Sequence, residues 1–330
     1  MGTEDQGVEA GDGPVLVPVQ INVARPKQPV VARVVESRTV TNGRSNSFVR
    51  HFAIDLSGTP LAGTFRPGQA FGVLAPGLDA RGRAHNVRLY STSSPTWGED
   101  GQGAVIATTV KRLIDERKPQ RDGDDPEDHS LFLGVCSNYM CDLAVGDEVL
   151  VTGPAGKRFV LPERPESHQY LFMATGTGIA PFRGMVLDLL EGPEGPVPGE
   201  VHLVMGAPYS TDLLYHDQFL DLAERHGNFH YHQAISREHY QGRWGRYTHH
   251  VVDDNADTFA DLLRDDRSLI YMCGLSGMEV GMFQCLAANG MADGYIKVPQ
   301  ELADVPPWEW DAETTRKRVR PSKRFLVEVY

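Results

Sequence analysis

The stretch RLYSTSSP, residues 88–95, is the segment that most restricts the folds this chain can adopt. On a β-strand, Arg88, Tyr90 and Thr92 would share one face, and the intervening side chains would share the other. A guanidinium can pair with a phosphate, a phenol ring can lie flat on an aromatic system, and hydroxyls can donate hydrogen bonds. The stretch therefore fits either an edge strand with an amphipathic outer face or a strand that holds a planar, phosphorylated ligand.

The composition is that of a globular protein. The chain has 330 residues, which is enough for two domains of about 150 residues each. Its 41% hydrophobic and 23% charged residues are ordinary values for a packed fold. The net charge of -12 argues against general nucleic-acid binding, and no run approaches the ~18 apolar residues of a membrane helix.

The four cysteines are too few and too scattered for a disulfide framework in a chain of this length. They are Cys136, Cys141, Cys273 and Cys285. We therefore expect a reducing, cytoplasmic setting. Residues 1–29 begin MGTEDQGVEAGDGP, without a basic region or an apolar core, so we expect a flexible acidic tail and no secretory or mitochondrial signal.

The pattern of the chain predicts two domains of different architecture. Residues 30–164 read as short β-branched segments separated by turns, which indicates an antiparallel barrel or sandwich. Residues 165–330 alternate apolar strands with helical or loop segments, which indicates a parallel sheet with helices on both faces. In such a sheet, ligands bind at the carboxyl ends of the strands.

One candidate site lies in the first domain. The segment GVCSN, residues 134–138, ends an apolar run, and a short helix can begin there, whose free N–H groups would bind an anion. Cys136 and Cys141 have the spacing of two ligands of a plant-type iron–sulfur cluster, but the required third cysteine is absent. Buried or backbone-positioning cysteines are the better interpretation.

Three candidate sites lie at predicted strand ends of the second domain. The glycine-rich turn of residues 174–181 can approach a pyrophosphate at a helix N-terminus. The loop that begins at Ser236 and Arg237 carries further arginines and suits a ribose 2'-phosphate, although a solvated basic loop would look the same. Cys273 follows the strand SLIYM, and the glycines after it would let a ligand come close.

The histidines do not predict a metal site. His230 and His232 alternate on one strand, and His249 and His250 are adjacent, but no carboxylate or cysteine set accompanies them. Such histidines are more often structural or surface residues than metal ligands. We therefore predict no bound metal.

Nine short sequence motifs follow one another along residues 30–330. They are RLYSTSS, VKRL, GVCSNYMCDL, TGPAGK, TGTGIAPFR, LLYHDQF, SRE, YMCGLSGME and the terminal VEVY. In these motifs the chain resembles the plant-type ferredoxin–NADP(+) reductase family. The resemblance implies an antiparallel FAD-binding β-barrel followed by a parallel-sheet NADP-binding α/β domain. It also implies electron transfer between NADPH and a one-electron carrier, ferredoxin or flavodoxin.

The resemblance implies a set of flavin contacts. Arg88 would hold the FAD pyrophosphate, Tyr90 would stack on one face of the isoalloxazine, and Ser91 would lie near N5 and assist hydride transfer. Further contacts to the flavin and its phosphates would come from Gly134, Val135, Cys136 and Ser137.

The resemblance also implies the NADP contacts. The turn that cradles the dinucleotide would be made by Thr175, Gly176, Thr177, Gly178 and Pro181. The 2'-phosphate would bind Ser236 and Arg237, with either Arg243 or Arg246 in place of the family's usual lysine, and Tyr247 would stack near the adenine.

The nicotinamide pocket is implied by the last two motifs. Cys273 would face the nicotinamide C4, and Glu328 would lie nearby. Tyr330 would cover the second flavin face and move aside for the nicotinamide. A tyrosine ring that competes with nicotinamide limits unproductive tight binding of the nucleotide. The flavin carries the redox chemistry, so these side chains would orient the reactants rather than form covalent bonds.

The carrier is expected to dock on cations. The expected docking surface comprises Lys111, Arg112, Arg316, Lys317, Arg318, Arg320, Lys323 and Arg324. Asp115 departs from the family pattern, because photosynthetic members have there a tyrosine that stacks on the FAD adenine. Two other functions stay open: the reductase component of an oxygenase or another redox system, and a nucleotide-binding sensor without redox activity.

Overall fold

The computed structural model describes residues 13–116, 125 and 127–330. The first half of the chain forms an antiparallel barrel. Its elements are β1 (Val30–Thr39), β2 (Val49–Asp55), β3 (Ala70–Leu74), β4 (Arg88–Ser91), β5 (Val105–Lys111), β6 (Ile114–Glu116), β7 (Leu131–Leu133), α1 (Val135–Asp142) and β8 (Glu148–Ala155). Six strands pair in the order β4-β3-β8-β1-β2-β5, and a bridge between Thr92 and Thr108 joins the two outer strands.

Alternating side chains build the barrel core. In β1, Ala32 and Val34 point inward between exposed neighbours, as expected for a strand with one face in water. Phe52 and Phe71 fill the interior with no exposed surface, and Phe71 packs edge-on against Phe65. β6 and β7 form a separate hairpin beside the barrel.

The segment before the barrel is not a free tail over its described part. Val17 donates its amide to the Leu161 carbonyl at 3.1 Å, and Ala24 pairs with Gly153 in both directions at 2.9 Å. Residues 13–29 thus run along the barrel, which supplies partners for their backbone groups, and the flexible tail stays a prediction. Residues 1–12 lie outside the described residues.

The second half forms a parallel sheet with helices on both faces. Its strands are β9 (Gln169–Thr175), β10 (Val201–Ala207), β11 (Phe229–Ile235), β12 (His239–Tyr240), β13 (Arg243–Trp244), β14 (Ser268–Gly274), β15 (Ile296–Lys297), β16 (Arg320–Pro321) and β17 (Phe325–Val329). Its helices are α2 (Ile179–Glu191), α3 (His216–Arg225), α4 (Thr248–Asp254), α5 (Ala256–Arg264), α6 (Met278–Ala288), α7 (Gln300–Ala303) and α8 (Ala312–Arg318).

Five strands make the main sheet, in the order β11-β10-β9-β14-β17, and all of them are parallel. One face packs on α2 and α3 through a core that includes Phe172 and Phe182, and the other packs on α4, α5 and α6 through a core that includes Phe259 and Phe283. The predicted fold class, an antiparallel barrel followed by a parallel α/β domain, is confirmed.

No helix within residues 13–116 or 127–330 is long and apolar enough to span a bilayer.

Candidate active site

The inner strands of the parallel sheet end together and bring distant parts of the chain into contact. β14 ends at Gly274, and the carbonyl of this residue accepts a hydrogen bond from the Tyr330 amide at 2.9 Å. The Tyr330 carbonyl accepts one from the Ser276 amide, also at 2.9 Å. The C-terminal residue is therefore fixed through its backbone at the carboxyl edge of the sheet, where ligands of this fold bind.

Two glycines allow the loops at this edge to approach one another. A Cβ on Gly178 would lie 2.2 Å from the Cys273 carbonyl oxygen. Gly274 has a φ of +147°, and a Cβ there would lie 2.1 Å from the Thr175 hydroxyl. A side chain at either position would separate the turn after β9 from the end of β14, so both glycines are required for this geometry.

The Tyr330 ring rests on that turn. Its hydroxyl lies 2.7 Å from the Thr177 hydroxyl, and the residue is 62% exposed. Thr177 belongs to the 3₁₀ turn of residues 176–178, which leads directly into α2. A ring with a fixed backbone and one side-chain hydrogen bond can leave its position at small cost.

Cys273 and Glu328 lie side by side on neighbouring strands near the end of the chain. They are register partners on the parallel pair β14 and β17. Burial raises the pKa of the Cys273 thiol to about 12, and the neighbouring Glu328 charge adds to the effect. Desolvation by surrounding protein raises the pKa of the Glu328 carboxyl to about 7. Cys273 is thus a neutral thiol, and Glu328 can exchange a proton near neutral pH.

The strand β4 presents the charged and aromatic side chains of the opening stretch. Arg88 is exposed and forms no ion pair with any described residue. Tyr90 is half-buried, with its ring 6.5 Å from that of Phe71, and its pKa is raised by burial and by the adjacent Cys136. The Ser91 hydroxyl has no hydrogen-bond partner among the described residues, although the Ser91 carbonyl accepts from Thr108.

α1 begins beside this strand. Gly134 is its N-cap and supplies no side chain to cap the first amides. The Ser137 hydroxyl accepts from the Leu113 amide at 3.3 Å, and a Cβ on Gly134 would lie 2.8 Å from the Leu113 side chain. Val135 is half exposed, whereas Cys136 is buried near the Val73 carbonyl. The free amides of this first turn are suited to an anion.

A buried ion pair joins the two halves of the molecule. Arg183 on α2 binds both carboxylate oxygens of Glu99, at 2.6 and 3.1 Å, and the carbonyl of Ser93 at 2.8 Å. Burial raises the pKa of Glu99, but the hydrogen bonds and charge of Arg183 outweigh this, so that the net shift is downward. The end of the RLYSTSS stretch is thereby tied to the helix that follows the glycine turn.

The loop after β11 holds the predicted 2'-phosphate residues. Arg237 is exposed and makes no ion pair with a described residue, and the Ser236 hydroxyl lies 3.4 Å from the Ala207 carbonyl. Arg243 and Arg246 both contact the carboxylate of Asp254. A cavity of about 480 Å³ lies against these two arginines and β11.

Tyr247 follows Arg246 and presents a flat surface. It is 57% exposed, and its ring is parallel to that of His249 within 2°, at a centroid distance of 6.0 Å. Such a ring can stack on a planar ligand.

Comparison with known proteins agrees with this geometry. Residues 172–283 match the family model described as the oxidoreductase NAD-binding domain. The leaf-type chloroplast ferredoxin–NADP reductase of Nicotiana tabacum is 33% identical over 94% of this chain and 80% of its own length. The ferredoxin–NADP reductase of a Picosynechococcus strain is 32% identical over 94% of this chain and 72% of its own length.

This chain belongs to the ferredoxin–NADP reductase family.

Solved structures agree with the fold of the reductase. The ferredoxin–NADP+ reductase of Plasmodium falciparum superposes with a TM-score of 0.66 at 20% identity, covering 94% of this chain and 99% of the other. Its structure with 2'P-AMP gives a TM-score of 0.68 at 19% identity. The predictions of an oxidoreductase of this type, and of FAD and NADP(H) as its cofactors, are confirmed at the level of the family.

The predicted docking cations of the reductase are mostly paired. Arg316 contacts Glu279 at 3.2 Å, Arg318 contacts Glu301 at 3.0 Å, and Arg324 contacts Asp266 at 3.0 Å. Lys317 binds Glu313 one turn away on α8, and Arg320 donates to the Arg316 carbonyl. Arg112 contacts Asp142, whereas Lys111 has no acidic partner among the described residues. The positive potential of this region is therefore smaller than the residue count indicates.

Sequence reasoning missed two features of the reductase. Arg183 lies in the motif TGTGIAPFR, but only the three-dimensional contact with Glu99 reveals its role at the interface. Phe132 on β7 is the cross-strand partner of Asp115 on β6 and is 48% exposed. The sequence shows an aromatic residue in the segment LFL, but only the register of the hairpin shows that it lies opposite Asp115.

Proposed function

We propose that Ser91, Cys273, Glu328 and Tyr330 form the hydride-transfer site of this reductase. The observation that carries the proposal is the hydrogen bond between Tyr330 and Thr177, which holds an exposed ring at the sheet edge where β14 ends with Cys273 and Gly274. When bound, FAD accepts a hydride from NADPH and passes the two electrons singly to the carrier. The chain's part is to position the two rings and to keep water and side reactions away.

The residues of the barrel fit a flavin dinucleotide. Arg88 has a free guanidinium for phosphate, α1 begins with uncapped amides for the same charge, and Tyr90 offers a half-exposed ring. The Ser91 hydroxyl next to Tyr90 is free to hydrogen bond to the isoalloxazine edge. We also propose that Phe132 stacks on the FAD adenine, because cross-strand partners share a face and Asp115 cannot stack.

The sheet edge fits the nicotinamide half of NADPH. Because the Tyr330 backbone is held by Gly274 and Ser276, only its ring needs to swing to admit the nicotinamide. The movement breaks one hydroxyl hydrogen bond, at a cost of about 0.5–1.5 kcal/mol. The neutral Cys273 thiol then faces the ring that replaces Tyr330, and Glu328 holds or releases a proton beside it.

The loop after β11 fits the adenylate end of NADP. Arg237 is free to bind the 2'-phosphate together with the Ser236 hydroxyl, and Tyr247 can stack on the adenine. Arg243 and Arg246 share one carboxylate, so one positive charge remains uncompensated in this pair. We propose that Arg246 is the second phosphate ligand, because its amide is anchored to the Ile235 carbonyl at the end of β11.

We propose that an acidic ferredoxin or flavodoxin docks on Lys111, Arg112 and the cations of residues 316–324. Their ion pairs lower the local charge, so Lys111 is expected to contribute most per residue. Raising the ionic strength should slow ferredoxin reduction far more than ferricyanide reduction, because exposed charges are screened over about 10 Å at 0.1 M salt. Lys111→Gln should weaken the salt dependence more than the control Arg318→Gln, and equal salt sensitivity of the two acceptors would refute the docking surface.

A cytoplasmic location is proposed on the cysteines, since all four are buried free thiols. The decisive experiment for the whole proposal is the absorbance of the purified protein. We expect a yellow protein that contains FAD, that NADPH reduces under anaerobic conditions, and that reduces cytochrome c only when ferredoxin or flavodoxin is added. A colourless preparation that takes up no FAD would end the proposal.

A further inference from the structure

Three histidines cluster on one face of the parallel sheet, with His202 and His230 near its amino end and His232 in the wall of the cavity beside Arg243 and Arg246. His202 on β10 is the register partner of His230 on β11, and His232 lies two residues further along the same face. The ring centroids of His202 and His230 are 4.5 Å apart, and those of His202 and His232 are 5.5 Å apart with planes parallel within 3°. Five residues of β10 separate His202 from the sheet's carboxyl edge, a distance of about 15 Å.

Glu200 adds a carboxylate to this cluster. Its Oε2 atom lies 2.7 Å from Nε2 of His230, while Nδ1 of His202 lies 3.2 Å from Nε2 of His232. Ligand atoms of Glu200, His202 and His230 all lie within 4.8 Å of one another. The carboxylate absent from the local sequence pattern of His230 and His232 is thus supplied by the residue that precedes β10.

The chemistry of the cluster is that of a transition-metal site. Zn–N and Zn–O bonds are about 2.0–2.2 Å long, so ligand atoms of a tetrahedral site lie roughly 3.3 Å apart. Because the His202 and His230 rings are stacked at 4.5 Å, side-chain rotations are required to bring the cluster to this spacing. Neutral imidazole nitrogen and carboxylate oxygen are the ligand types that Zn²⁺ prefers, and the cluster offers both. Phe259 packs against the His202 ring at 5.2 Å and fixes its orientation.

We propose that Glu200, His202 and His230 bind one divalent transition-metal ion, with Zn²⁺ as the best match and His232 or water as the fourth ligand. The Glu200 and His230 side chains are 46% and 40% exposed, so an ion can enter directly from solvent. The bound ion would tie the edge strand β11 to β10. Its role is therefore structural, separate from hydride transfer.

Metal titration of the full-length, FAD-loaded protein tests this site. After removal of metals with a chelator, we expect one Zn²⁺ per chain by calorimetry, no binding of Mg²⁺, and a visible ligand-field band with Co²⁺ typical of tetrahedral coordination. Glu200→Gln and His230→Gln should each weaken Zn²⁺ binding by about tenfold or more, since each removes one of three protein ligands. Zn²⁺ should raise the thermal midpoint of the wild type but not of His230→Gln.

His85→Gln is the matched control, because it removes a histidine of the barrel half, away from the cluster. It should bind Zn²⁺ like the wild type. Both test positions are partly exposed, and circular dichroism verifies that the variants fold. The proposal is overturned if the wild type takes up no Zn²⁺, or if Glu200→Gln and His230→Gln both bind it as tightly as the control.

Discussion

Glu99→Gln tests whether the buried ion pair holds the two halves together. The side chains of Arg183 and Glu99 are 7% and 19% exposed, and the guanidinium makes two bonds to the carboxylate. The variant keeps the shape but leaves a buried cation without a counter-charge, and its amide group faces a donor. Removing one partner of a buried pair costs about 3–5 kcal/mol, a large part of the ~5–15 kcal/mol that stabilises a typical protein.

Urea unfolding followed by tryptophan fluorescence measures this loss. Trp97 packs against the core between the sheet and α2, and Trp310 is buried in the second core, so the fluorescence follows unfolding of both regions. Glu166→Gln is the matched control, because the Arg164–Glu166 pair is 78% and 50% exposed, and such pairs contribute at most about 1 kcal/mol. Arg183→Met combined with Glu99→Gln should recover part of the loss, since no orphan charge remains. If Glu99→Gln costs no more than the control, the ion pair does not hold the interface.

Four further predictions concern the active site. Tyr330→Phe removes only the 2.7 Å hydrogen bond to Thr177, worth about 0.5–1.5 kcal/mol, so NADP+ should bind roughly twofold to tenfold more tightly, as measured by difference spectroscopy. Tyr330→Ser should tighten NADP+ binding further and slow turnover. Unchanged affinity in both variants would contradict the movable ring. Glu328 loses its proton as pH rises through about 7, so the rate of NADPH-driven flavin reduction in stopped-flow measurements should depend on pH near that value in the wild type but not in Glu328→Gln. Identical pH profiles for the two proteins would exclude a role of this carboxyl in flavin reduction. Phe132→Ala should raise the FAD dissociation constant roughly tenfold, since stacking on a base is worth about 1–3 kcal/mol, whereas Leu131→Ala on the opposite face of β7 should not. Arg237→Gln should raise the KM for NADPH by about tenfold to a hundredfold but leave the KM for NADH unchanged. An equal change in both KM values would show that Arg237 does not bind the 2'-phosphate.

Much of the fold and the sheet-edge site could be predicted because they depend on local patterns. The turn at Gly176 and Gly178, the cysteine at the end of a strand, and the apolar C-terminal hexapeptide each mark a strand end. In a parallel sheet these ends meet at one edge, so the closeness of Tyr330 to Cys273 followed from topology alone. The roles assigned to these residues stay predictions until the variants are measured.

The remaining features depend on pairings between distant segments. The acidic, Gly-rich start of the chain suggested disorder, yet residues 13–29 bind backbone groups of residues 153–161, which no local pattern reveals. The basic cluster near the C-terminus looked unpaired because its acids, such as Glu301 and Asp266, lie elsewhere in the sequence. His202 and Glu200 likewise join His230 only through the register of β10 and β11.

The contacts between the two halves bear on how nicotinamide would reach the flavin in the proposed site. Besides Arg183 and Glu99, Asp188 on α2 accepts from both the amide and the hydroxyl of Thr96, at 2.7 and 2.5 Å. The Tyr215 hydroxyl lies 3.0 Å from His51 and 2.7 Å from Thr109 of the barrel. These bonds join α2 and the residue before α3 to the barrel half, so opening the molecule between its halves would break several buried interactions at once. Rotating the Tyr330 ring breaks its exposed hydrogen bond to Thr177. We therefore propose that access is controlled by that side chain, against a fixed Tyr90, rather than by domain movement.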